Sequence, residues 1–149
     1  MAELTRQDVI KLVAAGQRSI RLRGVDLSGL DLSYLDLSDV DLSYANLEKA
    51  NLAHASLRDV VLFNANLAGA NLFGTILWCA ELIGTNLANA DLSYANLNQT
   101  IFHGATLSGV NLTDIRYQDA NFDGVSANDA TIWPAGFDKN QYDLFIDTE

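Results

Sequence analysis

From Ile20 to Pro134, apolar and polar positions follow a five-residue beat. Leu stands at 22, 27, 32 and 37 and at every fifth position to 97, then at 107 and 112. Phe102, Tyr117, Phe122 and Ile132 hold the same phase, and Ala127 alone is small there. Two residues before each lies a second apolar position. Ala is the commonest residue there, as at Ala45, Ala50, Ala55, Ala65 and Ala70. Ile20, Val25, Leu30, Leu35 and Val40 fill it at the start, and Val110, Ile115 and Val125 near the end. A period of five fits neither an amphipathic helix nor a long alternating strand. It fits a very short strand whose two apolar residues point inward while the polar residue between them points out. The next two positions hold residues suited to a turn, chiefly Ser, Gly, Tyr, Asp, Asn and Gln. Such a unit cannot bury its apolar side alone, so it must stack on neighbours, and the pattern predicts an all-β solenoid. The larger second-position residues predict a change of turn geometry between the ends and the middle.

Stacked coils expose apolar residues and open strand edges at each end, which need covers. Thr5-Arg6-Gln7-Asp8 reads as a capping box, with Leu4 and Val9 placed as a hydrophobic staple and Gly16 as the stop of a short helix. Val9, Ile10 and Val13 would lie on the first coil. Beyond Ile132, Trp133-Pro134-Ala135-Gly136-Phe137 breaks the beat and offers Trp133 and Phe137 to close the other end. The predicted organisation is an N-terminal helical cap at 1–19, a β-helix of about six coils at 20–134, and a C-terminal cap or tail at 135–149.

Ala45-Asn46-Leu47-Glu48-Lys49-Ala50-Asn51-Leu52 and Ala90-Asp91-Leu92-Ser93-Tyr94-Ala95-Asn96-Leu97 repeat the unit A-(D/N)-L-X-X. In this the chain resembles the pentapeptide-repeat proteins, over 23 consecutive units. The resemblance implies a right-handed quadrilateral parallel β-helix with four units per coil and Leu stacked inside. Glycine placement supports the four-unit coil independently. At a spacing of 20, Gly24, Gly84, Gly104 and Gly124 share one corner and Gly29, Gly69 and Gly109 the next, while Asp39, Asp59, Cys79, Gln99 and Asp119 share a corner without Gly. The same spacing puts Asn46, Asn66 and Asn86 in one column and Asn51 and Asn71 in another, placed for amide hydrogen bonds along the axis.

Charge is uneven. Residues 1–24 carry five basic and two acidic side chains, a balance of +3, and the remainder four basic and 17 acidic, or −13, giving −10 in all. An acidic surface repels nucleic acid, so no direct nucleic-acid binding is expected. It serves solvation, or attraction of a basic partner. No apolar run approaches the roughly 20 residues that span a bilayer, the first 17 residues lack the apolar stretch of a secretory signal, and Cys79 is the single cysteine. The expectation is a cytoplasmic protein without membrane association, monomeric or weakly dimeric.

The residue types of catalysis are sparse. His54 and His103 fall on different faces and Cys79 on a corner away from both, so neither a shared metal nor a Cys–His pair is expected. Asp39 and Asp59 read as a cation site between coils or as a solvated corner. No phosphate loop, CxxC pair or nucleophile elbow is present. Catalysis, cofactor and metal are therefore not expected.

The departures from the pattern are apolar residues at outward positions: Val61, Phe63, Ile76, Trp78, Ile83 and Ile101. The four-unit coil gathers all six around one edge at mid-height, and Phe73 falls on another face. An apolar patch with aromatic anchors marks an interaction site, or it is surface hydrophobicity that strands tolerate. The resulting functional reading is a non-catalytic scaffold or regulator that binds another protein, the role implied by resemblance to small bacterial and cyanobacterial members of the family. The alternative, from another branch, is an acidic rod that mimics DNA and binds DNA gyrase. Leu at the central position where that branch has Phe, and the lack of an interrupting loop, speak against it.

Overall fold

The computed structural model describes residues 4–15 and 20–148. From Arg21–Asp41 to Thr106–Ser126, every parallel bridge joins residues 20 apart. Four five-residue units therefore complete one coil, and the chain forms a parallel β-coil. Each rung is made the same way: Leu47 donates its amide to the Asn66 carbonyl at 2.7 Å, and Asn66 donates to the Ala45 carbonyl at 2.9 Å. All eighteen on-beat Leu are buried, and the Ala of the second position line the space beside them. Each buried Leu contributes about 1.5–3 kcal/mol of transfer free energy, which a lone five-residue unit would not gain.

The turns are more uniform than the sequence predicts. From Gly24 to Gly124 the third residue of every turn has φ between 52 and 73°, including Tyr34, Lys49, His54 and Cys79. A positive φ there is the requirement of a type II turn. Second-position bulk does not change this conformation; it stretches the closing hydrogen bond. The bond measures 3.3, 3.4 and 3.3 Å at Leu30, Leu35 and Val40, against 3.0 Å at Ala45, Ala50 and Ala55.

The Asn columns form ladders. Asn66 donates from Nδ2 to Asn46 Oδ1, and Asn86 to Asn66, each at 3.2 Å. Asp26 and Asp31 stand at the foot of the two ladders and accept from Asn46 and Asn51 at 3.1 Å. The same Oδ1 atoms accept the amide two residues on, as in Ala68 to Asn66 and Ser33 to Asp31. Asp and Asn are therefore interchangeable in this role, which needs only the acceptor oxygen.

Helix α1 spans Arg6–Ala14 and carries the expected capping box between Thr5 and Asp8. It ends at Ala15; the predicted stop, Gly16, lies outside the described residues. Val9 is fully buried on the first coil, with Leu4 and Val13 packed beside it. Arg6 reaches under the coil, where its guanidinium donates to the carbonyls of Asp31 and Ser33.

At the upper end one expectation fails. Ile132 is not an inward residue; it is 54% exposed. The last bridge, Asn111–Ile132, spans 21 residues because the unit after Val125 carries one extra residue. Strand β1, Ser126–Asn128, absorbs it. Asn128 uses its side-chain Oδ1, not its carbonyl, to accept from Gly109 at 3.0 Å. Thr131 then turns inward and donates its hydroxyl to the Leu107 carbonyl at 2.8 Å.

The remaining chain continues the coil. Trp133, Phe137 and Tyr142 pack against the core; Phe137 lies over Tyr117 with ring centroids 5.7 Å apart, and Tyr142 over Phe122 at 5.4 Å. A single 3-10 turn at Lys139–Gln141 leads to strand β2, Phe145–Asp147, which pairs in parallel with β1 and sets Ile146 over Ala127. The C-terminal segment is thus a last coil whose inward residues are mostly aromatic.

Candidate interaction surface

The bridges fix the six outward apolar residues. Val61, Glu81 and Ile101 succeed one another in one column, so a carboxylate separates the two apolar residues. Phe63 and Ile83 form the neighbouring column, where the Asn64 amide donates to the Ile83 carbonyl at 3.0 Å. Ile76 lies between Ser56 and Asn96 on the preceding face. Trp78 stands above Arg58 on that face, its carbonyl accepting from Asp59 at 3.0 Å. Cys79 and Ala80 make the corner between the two faces, which brings both sets to one edge.

The edge is apolar but shallow. Phe63, Ile76, Trp78 and Ile101 are 36–40% exposed, and Val61 and Ile83 are half-buried. Neighbours account for this. The Arg58 guanidinium lies 4.6 Å from the centre of the Trp78 ring, a cation–π contact that covers one face. Tyr44 meets Phe63 edge-on at 5.5 Å, and Arg23 lies 5.5 Å over Tyr44. Arg23 also pairs with Asp41 at 3.5 Å. Burial alone would raise the pKa of Asp41, but the Ser43 hydroxyl and amide outweigh it, and with Arg23 they hold the carboxyl below its ordinary value. The patch is therefore bounded below by charge, while Glu81 has no ionic partner among the described residues.

A second feature escaped the sequence. Tyr34 stacks on His54 at 5.2 Å, His54 meets Phe73 edge-on at 5.3 Å, and Phe73 meets Tyr94 at 5.4 Å. Phe73, set apart as an isolated residue, is the third rung of this ladder. Gly74 makes the contact possible, since a Cβ there would lie 2.8 Å from His54 Nδ1. The signal was present as Tyr34, His54 and Tyr94 in one column of the 20-residue coil, with Phe73 beside Gly74, the one Gly in that column. These rings stack along the axis, which favours coil cohesion.

The titratable residues stay apart. His54 is held in the ladder, and His103 sets Nδ1 3.1 Å from the Asp123 carbonyl. Cys79 Sγ lies 3.1 Å from Gln99 Oε1. Asp39 and Asp59 are successive corner residues, with φ 61 and 53°. No group of three His, Cys, Asp or Glu placed to hold a metal occurs among the described residues.

A parallel solenoid of five-residue units, with filled interior and polar corners, defines the class. A sequence model of pentapeptide repeats matches residues 20–59, 41–78 and 80–116, and the chain belongs to the pentapeptide-repeat proteins. Among solved structures it is similar to Rfr23, a pentapeptide repeat protein from the cyanobacterium Cyanothece 51142. The identity is 30%, with 84% of this chain and 99% of that chain covered and a TM-score of 0.67. It is also similar to alr5209, a pentapeptide repeat protein from Nostoc Pcc 7120, at 28% identity over 99% of each chain with a TM-score of 0.44. QnrB1, a plasmid-mediated fluoroquinolone resistance protein, aligns at 15% identity over 89% of this chain and 85% of that one, with a TM-score of 0.37. No curated protein matches the chain.

Proposed function

We propose that the chain is a non-catalytic scaffold, built as the right-handed quadrilateral β-helix of its family, that binds another protein through the edge formed by Phe63, Trp78 and Ile83. The observation that carries this reading is the concentration of outward apolar residues at one mid-height edge of a rod whose other outward positions are mainly Asp, Asn, Ser and Ala. An interior filled by Leu offers no room for a substrate. The rings and methyls of the edge supply the desolvated anchors that protein interfaces use. The acidic rod that binds gyrase is the weaker reading. Much of its charge serves local structure, since Asp26, Asp31 and Asp41 each accept a hydrogen bond from the amide two residues on.

Pull-down from an extract of the native organism, with light scattering on the purified chain, tests the proposal with Trp78→Ser and Phe63→Ser in proteins shown to be folded. Association should fall in both variants; undiminished association removes the edge as the binding site. Inhibition of gyrase supercoiling at micromolar protein would favour the rod reading instead.

A further inference from the structure

The two ends of the coil are closed unequally. Below, α1 covers the first coil and Arg6 supplies donors to its edge carbonyls. Above, the last described strand is β2, and β1 pairs with one edge of it. Among the described residues no strand meets its other edge. In a parallel ladder, alternate residues direct their amide and carbonyl to opposite sides. Phe145 donates downward to the Val125 carbonyl at 2.9 Å, so the N–H and C=O of Ile146 face away from the coil. The register sets Ile146 above buried Ala127, yet Ile146 remains 37% exposed and Phe145 62%. A shallow, open surface runs along β2, lined by Ser126, Leu144, Phe145, Ile146 and Asp147.

These groups specify what would cover them. Unpaired edge N–H and C=O call for another strand, and exposed Ile146 calls for an apolar residue on the same face of it. Charge then selects among strands. Residues 138–148 carry three acidic side chains and one basic, a balance of −2, and Asp123 and Asp129 lie in the coil beneath. A second copy meeting edge to edge would set two such acidic ends against each other, whereas a basic segment complements them.

We infer that the open edge of β2 binds an extended, basic peptide segment of another protein, which adds one more strand to the ladder. Its central apolar residue stacks on Ile146, and Lys or Arg on either side face the acidic rim. This site is separate from the Phe63–Trp78 edge and rests on β2 alone.

The probe is a fluorescein-labelled, amidated nonapeptide of alternating Lys and Ile, titrated with the full chain and followed by fluorescence anisotropy. Saturable binding is expected. Replacing Lys by Glu, replacing the peptide's Ile by Pro, or introducing Ile146→Pro in the protein should each weaken it at least about tenfold, through lost charge pairing or lost edge hydrogen bonds. The Lys/Pro peptide keeps the charge and leaves the protein untouched, so it is informative even if Ile146→Pro perturbs the last coil. Equal binding of the Lys/Ile and Lys/Pro peptides would overturn the inference, because charge alone would then explain it. A concentration-dependent dimer in light scattering that Ile146→Pro disperses would also overturn it, by assigning the edge to a second copy.

Discussion

The guanidinium of Arg6 lies 3.1 Å from the carbonyl oxygen of Ser33, and its other terminal nitrogen reaches the carbonyl of Asp31. One coil higher, backbone fills the equivalent places: the amides of Leu32 and Tyr34 donate to the carbonyls of Asn51 and Ala53. A helix side chain thus substitutes for a missing rung and blocks the lower edge against pairing.

Arg6→Ala should loosen this cover. The side chain is 34% exposed and also pairs with the Asp31 carboxylate at 3.4 Å. The loss is on the order of 1 kcal/mol, or a fall of roughly 2–4 °C in Tm for a chain of this size. Lys should restore little, since a compact ammonium does not span two carbonyls as a planar fork does. Thermal melting with hydrogen exchange of the α1 amides measures both effects. Unchanged protection of α1 would show that burial of Val9 holds the cap unaided.

Leu72 and Ile132 share a phase in the sequence and should respond oppositely to truncation. Leu72 is fully buried at mid-stack and Ile132 is 54% exposed. Leu72→Ala should cost about 2–5 kcal/mol, and Leu72→Asp should unfold the coil by burying an unpaired charge. Ile132→Ala should stay within about 0.5 kcal/mol of the parent. Urea denaturation followed by circular dichroism separates these outcomes; a folded, heat-resistant Leu72→Asp protein would contradict the inward assignment of Leu.

The period was legible because each inward residue answers to the same packing constraint in every coil. It failed where a side chain took over a backbone role. Asn128 Oδ1 replaces a carbonyl, so an extra residue enters without any compositional mark and moves Ile132 outward. The last coil was hidden for a related reason. Trp133, Phe137, Tyr142 and Ile146 follow at intervals of four, five and four: Phe137 and Tyr142 keep the beat, but Trp133 falls one residue after it and Ile146 one before. Thr85 and Thr100 were silent in the sequence, because their fit depends on carbonyl positions: each donates its buried hydroxyl at 2.7 Å, to Leu62 and Leu77. The six-residue edge was legible as a place, since counting by 20 assigns the faces. Its partner was not, because outward positions escape the packing constraint that makes the repeat readable.

The amide ladder predicts that Asn66→Asp and Asp26→Asn differ. Asn66 uses both ends of its amide, donating to Asn46 and accepting from Asn86 and Ala68, each at 3.2 Å. Aspartate would keep the acceptor and lose the donor, leaving two oxygens facing each other between coils. The expected cost is about 1 kcal/mol at neutral pH. Asp26 at the foot only accepts, from Ser28 and Asn46, so Asn keeps those contacts. Equal melting temperatures for Asn66→Asp and the parent would show that the ladder contributes nothing to cohesion.

Acid should weaken the coil through these same foot residues. The hydrogen bonds from Ser28 to Asp26 and from Ser33 to Asp31 hold both carboxyls below the ordinary 3.8. Arg6 adds to the effect at Asp31. With folded values below the unfolded ones, the unfolded chain binds more protons through that interval, so stability rises with pH. The contribution is complete above the ordinary value and disappears as pH falls through the depressed folded values. In the double variant Asp26→Asn, Asp31→Asn this titration is gone, while the acceptor oxygens remain. The melting temperatures of parent and variant should therefore converge as pH is lowered from about 4 to about 2, with the parent the more stable above that range. Curves that stay parallel on acidification would place the acid sensitivity in other carboxylates, with Asp8 and Asp41 next in line because their pKa values are also depressed.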